Sequence, residues 1–358
     1  MKANKGEWSE VYVLFRLLAE QKLYAGDQNF QRIDREFYPI LEIIKDDSLQ
    51  PVDFYIDRLN NIILISKLGI SHEIKINEFT DQANYLLDAI VNGSKTFSPS
   101  NTNLFLSSIG CQQLKSPSRT KKDIEISLDE QIQTGVNNYR VLSFSIKSWL
   151  GSPPTLLNSS QATNFVFNFT SQSVTRDLIS SVNSEKRFYT KFQLLLQANC
   201  LPVFDHVSSN SFNNNLILSD GNIPQILAHL LIEYYSSQRI SKIKDLIENL
   251  KIKNPLNFGN TYFYERKIKR FLSDIALGMI PDTDWSGYHS VNGGHIVVRK
   301  LGEIVAYFYI YNQQGFEDYL YLNTKLDTPS PSRHKFGNLY RDNNQNLQIK
   351  LNLQIRFV

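Results

Sequence analysis

Cysteine is scarce in this chain: two among 358 residues, Cys111 and Cys200. No CxxC pair and no Cys/His cluster surrounds either, which excludes the usual zinc spacings and a disulfide framework. Two free thiols in a reducing compartment are expected. Neither sign of charge is in excess. The 38 basic and 35 acidic residues leave a net +3, too little to steer a partner globally, so any nucleic acid must meet locally clustered charge. No apolar run approaches the ~20 residues that a membrane-spanning helix needs. The start, Met1-Lys2-Ala3-Asn4-Lys5-Gly6-Glu7, has no apolar signal core, and a cytoplasmic protein is expected. Internal repeats and low-complexity segments are also missing.

What the chain does have is material for a core. Hydrophobic residues make up 42% and aromatic residues 12%, ample for one large domain or two of ordinary size. Val11, Leu14, Phe15, Leu18 and Ala19 recur at helical spacing within Ser9 to Lys22, with Ser9 or Asn4 available as the cap. Val52 to Leu68 alternates as a hairpin around Arg58-Leu59-Asn60-Asn61, and Phe79 to Asn92 is a helix ending near Gly93. The Ser-, Asn- and Pro-rich stretch from Ser94 to Arg119 predicts loops around a short strand, Leu104 to Ser107. Lys121 to Leu128 and Tyr139 to Ser148 are strands, joined by a turn with Asp129, Thr134, Gly135 and Asn137-Asn138. Pro153-Pro154 precedes a helix start at Thr155, and Asn164 to Phe169 is a strand. Further helices are expected at Pro224 to Tyr235, Lys242 to Leu250, Tyr262 to Leu277 and Phe316 to Leu322. Gly293-Gly294 opens a hairpin of Ile296 to Val298 with Ile304 to Tyr311, and Leu347 to Phe357 is a terminal strand. The intermixed elements predict an α/β or α+β fold with a mixed central sheet flanked by helices.

Two of these strands carry chemistry. Asp123-Ile124-Glu125 opens one, and Ser143-Phe144-Ser145-Ile146-Lys147-Ser148 closes the other. Side chains alternate along a strand, so Ser145 and Lys147 share a face while Phe144 and Ile146 point to the core. Metal-dependent phosphodiester hydrolysis needs carboxylates to hold a hard cation, and a lysine to position the nucleophile and offset charge. A solvated strand face carrying charge has the same pattern. Ser145 stands where a second carboxylate is wanted, and a hydroxyl is a poor Mg²⁺ ligand. Glu125, one strand step from Asp123, and Glu10 on the first helix are the available replacements. Glu7 and Glu10 lie three apart on one helix side, where complementing the helix dipole is the alternative role.

These motifs in order resemble the HpaII-type family of type II restriction endonucleases over essentially the whole chain. The resemblance rests on Lys5-Gly6-Glu7-Trp8-Ser9-Glu10, on Phe144-Ser145-Ile146-Lys147-Ser148-Trp149-Leu150-Gly151-Ser152-Pro153, and on Thr155-Leu156-Leu157-Asn158 and Ala162-Thr163-Asn164-Phe165. It continues through Phe271-Leu272, Ala276-Leu277-Gly278-Met279, Gly293-Gly294, Phe316-Glu317-Asp318-Tyr319-Leu320, Asn323-Thr324-Lys325, Ser332-Arg333-His334 and Leu351-Asn352-Leu353-Gln354-Ile355-Arg356-Phe357. It implies a Mg²⁺-dependent endonuclease that cuts double-stranded DNA inside CCGG and leaves 5′-phosphates, with a PD-(D/E)xK-like core. It also implies a functional pairing with a cytosine methyltransferase in a prokaryotic cytoplasm. Asp123 is then the strand acid and Lys147 the lysine, with Ser145 in the acid's place. Glu10, the acid of a Gly-x-x-x-Glu pattern on the first helix, completes the metal ligands ahead of Glu125, together with the Ile146 carbonyl. The expected division is a nuclease core with DNA-contacting insertions over 1–250 and a C-terminal recognition subdomain over 251–358, with a soft boundary.

DNA contacts follow from residue chemistry. Ser148, Ser152, Thr155 and Asn158 carry donors for phosphate oxygens in the loop after the lysine, and a helix starting at Thr155 would add amides. The polar, basic loop Ser330-Pro331-Ser332-Arg333-His334-Lys335 suits major-groove reading, since arginine pairs with guanine N7 and O6. Lys325 suits a phosphate, and the basic face Arg266, Lys267, Lys269 and Arg270 is a further candidate. The palindromic target invites a homodimer. His206, His289 and His295 show no ligand spacing, and hydrogen-bonded structural roles are expected.

Overall fold

The computed structural model describes residues 1–47, 50–114, 121–131, 135, 138–169 and 174–358. Thr134 and Asn137 of the expected turn, and residues 115–119 of the expected loop region, lie outside the described residues. The chain divides into two compact units, Met1–Pro154 with His289–Phe316, and Thr155–Tyr288 with Glu317–Val358. Residue 250, the expected soft boundary, lies inside the helix Ile243–Lys253 of the second unit.

The first unit starts with a short strand, β1 (Ala3–Asn4), which leads into α1 (Lys5–Glu20). Asn4 caps the helix. Its side chain accepts from Glu7 N at 3.1 Å, and its own N–H donates to Glu7 Oε2 at 2.9 Å, so two otherwise unpaired amides are satisfied reciprocally. Replacing Asn4 by alanine should cost about 1 kcal/mol of stability; an unchanged denaturation midpoint would remove the cap from this account. Trp8, Val11, Tyr12, Leu14, Phe15, Leu17 and Leu18 are all buried, as expected of a helix that is apolar nearly all round. Against it packs α2 (Ile76–Asn92), whose buried face is Phe79, Ala83, Leu86 and Ile90.

The first unit's sheet has nine strands in the order β2-β14-β13-β9-β8-β3-β4-β5-β6. These are β2 (Lys22–Gly26), β3 (Arg32–Lys45), β4 (Val52–Asp57), β5 (Ile62–Lys67), β6 (Ile70–Lys75), β8 (Ile124–Asp129), β9 (Tyr139–Ser148), β13 (Gly294–Val298) and β14 (Ile304–Phe308). A separate pair joins β1 to β7 (Thr96–Phe97). Because β2 also pairs with β3, the run from β2 through β14, β13, β9, β8 and β3 closes on itself. The sheet is mixed: β9 runs antiparallel to β8 and parallel to β13. Two glycines let the start of β13 lie close to its neighbours, Gly293 beside β9 and Gly294 beside β14. A Cβ on Gly293 would come within 2.7 Å of Ser143 O, and one on Gly294, at φ +119°, within 2.1 Å of Tyr307 O.

The second unit holds a four-stranded sheet in the order β12-β11-β17-β16 and a three-stranded sheet in the order β10-β18-β15. The strands are β10 (Thr155–Leu157), β11 (Asn164–Phe169), β12 (Pro202–Val207), β15 (Thr324–Leu326), β16 (Leu339–Arg341), β17 (Leu347–Asn352) and β18 (Ile355–Phe357). Its helices include Phe188–Gln197, Ile223–Ser236, Ile243–Lys253 and Tyr262–Leu277. The fold is mixed α and β, as expected.

Three local expectations are corrected. Leu104 to Ser107 is part of a helix, α3 (Ser100–Ser108), which buries Thr102 and Leu106 four residues apart; a short apolar run carries no period of its own. Thr155 begins a strand, with Thr155 paired to Arg356, so no helix amides are aimed from that position. Leu347 to Phe357 is two strands in different sheets, parted at Leu353-Gln354.

Candidate active site

The strand pair β8 and β9 places Ile124 opposite Phe144 and Glu125 opposite Ser143. Asp123 stands one residue before β8, with its N–H donating to Phe144 O at 2.9 Å. Its carboxylate Oδ2 accepts from Ser145 Oγ at 3.1 Å and from Ile146 N at 2.6 Å. Lys147 Nζ donates to Ser145 Oγ at 2.8 Å. The buried Ser145 hydroxyl thus links the two charged groups, accepting from the lysine and donating to the acid. A strand residue's N–H and C=O point the same way, so the Ile146 carbonyl also faces the Asp123 side.

The first helix brings Glu10 to this pair. Ser9 Oγ donates to Lys5 O at 2.7 Å and lies 2.8 Å from Ser148 Oγ, which itself accepts from Leu150 N at 3.2 Å. These bonds pin α1 to the end of β9. Glu7 is occupied at the cap, and Glu10 turns toward the strands. Burial is the largest cause pushing the Glu10 pKa up to about 8; Asp123 raises it further, Lys45 opposes, Glu7 adds and Lys147 opposes. Glu10 Oε2 is buried without a hydrogen-bond partner. A buried, unsatisfied carboxyl facing a second carboxylate is an arrangement that a hard divalent cation relieves. Among the described residues no group of three or more His, Cys, Asp or Glu is placed to hold a metal. Two carboxylates and a backbone carbonyl are the oxygen donors at hand, a set that would suit a cation keeping several waters.

Three lysines surround these acids. Burial holds the Lys147 pKa below its ordinary value, against the opposing pull of Asp123 and Glu10. Lys121 is pushed down to about 8, mainly by burial and then by Lys147. Lys45, the last residue of β3, is buried and donates to Leu114 O at 3.2 Å. Sequence spacing pointed to neither: Lys45 reaches the site through the pairing of β3 with β8, and Lys121, two residues before Asp123, belongs to no acid-to-lysine spacing. Buried His295, expected to be structural, sits in register beside Ser145 on β13, with its ring 5.3 Å from Phe316.

The structure brings Asp123, Ser145, Ile146, Lys147 and Glu10 together. Glu125 instead pairs with Lys122 at 3.4 Å, and Lys122 also reaches Asp46 at 3.2 Å. Ser148 is half-buried and Ser152 exposed in the first unit, while Thr155, Asn158, Lys325 and Ser332 to Lys335 belong to the second. The Ser330 loop contains one helical turn, Pro331–His334. His334 Nε2 lies 3.2 Å from Ser159 Oγ, and its carbonyl accepts from Asn164 at 2.9 Å. Ser332, Arg333 and Lys335 are exposed. Lys325 lies on β15 opposite Arg356. The basic face of Tyr262–Leu277 is largely neutralised: Arg266 pairs with Glu317, Lys267 with Asp220 at 2.5 Å, and Lys269 with Glu265 at 2.6 Å and Asp318 at 2.8 Å.

A lysine and two carboxylates, gathered at the ends of paired strands and beside a helix, form a site suited to hydrolysing phosphodiesters. The chain belongs to the HpaII restriction endonuclease family, whose sequence model matches residues 4–357, and it is a restriction endonuclease acting on DNA. It is 40% identical over 360 residues to the type II restriction enzyme HpaII of Haemophilus parainfluenzae, a match that covers 99% of this chain and 98% of that enzyme. No solved structure matches it significantly.

Proposed function

We propose that the protein cuts double-stranded DNA within CCGG in a Mg²⁺-dependent reaction that leaves 5′-phosphates, and that it is paired in the cell with a protecting cytosine methyltransferase. The observation behind the hydrolytic part is the chain from Lys147 through Ser145 to Asp123, with Glu10 beside it. The target and the metal rest on family membership. Asp123, Glu10 and the Ile146 carbonyl would hold the cation, which supplies positive charge at the scissile phosphate and eases deprotonation of water. Glu10 is preferred to Glu125 because Glu125 is already engaged by Lys122. Lys147, anchored through Ser145, orients the attacking water and offsets charge on the phosphate. The water oxygen forms the new P–O bond in line with the leaving 3′ oxygen, the P–O3′ bond breaks, and the 3′ oxygen takes up a proton. Ser148 and Ser152 follow the lysine closely enough in sequence to reach backbone oxygens; Thr155, Asn158, Lys325 and Lys335 are phosphate candidates of the second unit. A twofold dimer in the cytoplasm fits a palindromic target.

Plasmid DNA incubated with Mg²⁺ should give discrete fragments ending at CCGG, and prior cytosine methylation of those sites should block them. A gel shift without cutting, or cutting indifferent to methylation, would refute the proposal. Arg333 is assigned to guanine. Arg333→Ala should then lose ~1–3 kcal/mol of discrimination between CCGG and single-base variants. Equal weakening on all sequences would make it a phosphate contact instead.

A further inference from the structure

In the second unit, a cleft of about 790 Å³ is lined by Lys186, Arg187, Tyr189, Tyr234 and Arg239, among others. No carboxylate lines it. Lys186, Arg187 and Arg239 are exposed and form no ion pair among the described residues. By contrast, six cations elsewhere in this unit are held by acids, among them Lys269 by Glu265 and Asp318. Lys251 is paired with Glu248 and Glu265, Lys253 with Glu233, Arg266 with Glu317, Lys267 with Asp220, and Arg356 with Asp327. The acids adjacent in sequence to the lining residues are Glu185, Glu233 and Asp327, and the last two are taken by Lys253 and Arg356.

The walls are built before any ligand arrives. Ser237 Oγ donates to Ile240 O at 3.2 Å and accepts from Ile240 N at 3.3 Å, which fixes the turn that carries Arg239. Tyr234 Oη lies 2.9 Å from Thr328 Oγ1. Arg187 is the N-cap residue of the ten-residue helix Phe188–Gln197, which has no capping side chain; its first residues, Phe188 to Thr190, line the cleft and carry amides that no cap has claimed. Three cations without acids, a fixed turn, hydroxyls and open amides share one preference, a phosphate anion.

We infer that this cleft binds the phosphodiester backbone of the DNA duplex, with Arg187 and Arg239 as separate phosphate contacts. The inference rests on the reading of the protein as a CCGG endonuclease, and names a second place where its substrate is held. Because backbone contacts carry no sequence information, the cleft strengthens binding to any duplex alike.

The test is binding of a CCGG duplex, and of a duplex without CCGG, to the full chain with Ca²⁺ in place of Mg²⁺, across about 50 to 200 mM salt. Each phosphate contact contributes roughly 0.9 to the slope of log affinity against log salt, so Arg187→Ala with Arg239→Ala should flatten the slope by roughly 2. The affinity gained between the two salt concentrations then shrinks roughly tenfold, and equally for both duplexes. Arg187→Lys with Arg239→Lys should keep the wild-type slope, as a general structural role would not predict. The wild-type slope in the alanine variant, or a loss confined to the CCGG duplex, overturns the inference. Binding of inorganic phosphate that the alanine substitutions abolish, with an unchanged duplex slope, assigns the cleft to free anions and overturns it as well. If the wild-type enzyme fails to cut CCGG in Mg²⁺, the reading of its activity is what fails, and the slope still decides the cleft.

Discussion

Lys147→Ala is expected to slow DNA cleavage by about 10³-fold while leaving duplex affinity nearly unchanged. The loss follows from what the ammonium does. It is held at 2.8 Å by Ser145, which is bonded in turn to Asp123, so its position is fixed before substrate binds and no reorganisation is needed as charge grows on the phosphate. Removing one such preorganised donor costs about 10²–10³ in rate, and removing a proton-handling group about 10²–10⁴. One ammonium among many phosphate contacts contributes little to binding the ground state, so a gel shift should survive. Single-turnover cleavage in Mg²⁺ and a parallel shift in Ca²⁺ measure the two quantities separately. Retained cutting would refute the role of Lys147; lost binding would make it a docking residue. Ser145→Ala should show a smaller loss of the same kind, since it frees the lysine and leaves it in place.

Glu10→Gln should remove the metal response. The Glu10 carboxyl has its pKa raised from 4.5 to about 8, so without metal the folded protein holds this proton more tightly than the unfolded chain does. Its contribution to stability is therefore complete below pH ~4.5 and is lost as pH rises through about 8, at up to ~1.4 kcal/mol per pH unit. Glutamine keeps the shape and has no proton to lose. The metal-free variant should thus gain stability relative to wild type as pH rises across that window. Divalent cations must displace the proton, so wild-type affinity for them should rise with pH toward about 8. Thermal unfolding with and without Ca²⁺ reads both effects independently of cleavage. Wild type should be stabilised by Ca²⁺ most strongly at alkaline pH, and Glu10→Gln should lose that increment. If Glu125→Gln loses it instead, the second ligand is Glu125 and the assignment moves there.

The helices and strands with strong periodicity were legible from the chain alone. The Asn164–Phe169 strand and the Tyr262–Leu277 helix have the expected ends, and Ile76–Asn92 differs only in an earlier start. The strand β3 was not foreseen, because Asp34-Arg35-Glu36 and Pro39 interrupt any alternation that a proline-free strand would show. The basic helix face was legible as charge and illegible as function: its partners Asp220, Glu317 and Asp318 come from other parts of the chain. The three cations of the second unit's cleft gave no signal either. What brings them together is a cleft that no carboxylate lines, and a cleft is set by folding.

By itself the sequence determined the family, the core faces and the two strand motifs that carry Asp123 and Lys147. Alternation dictates that Ser145 and Lys147 share a face, and this needs no knowledge of the rest of the chain. Only the tertiary structure separates the two first-helix acids that could offset the carboxylate missing at Ser145. Glu7 and Glu10 are both acids near the start of one helix. Capping consumes the first, and the Ser9–Ser148 contact places the second beside Asp123. The environment of an acid depends on burial and on charges brought in from remote segments, and that information lies in packing and not in spacing.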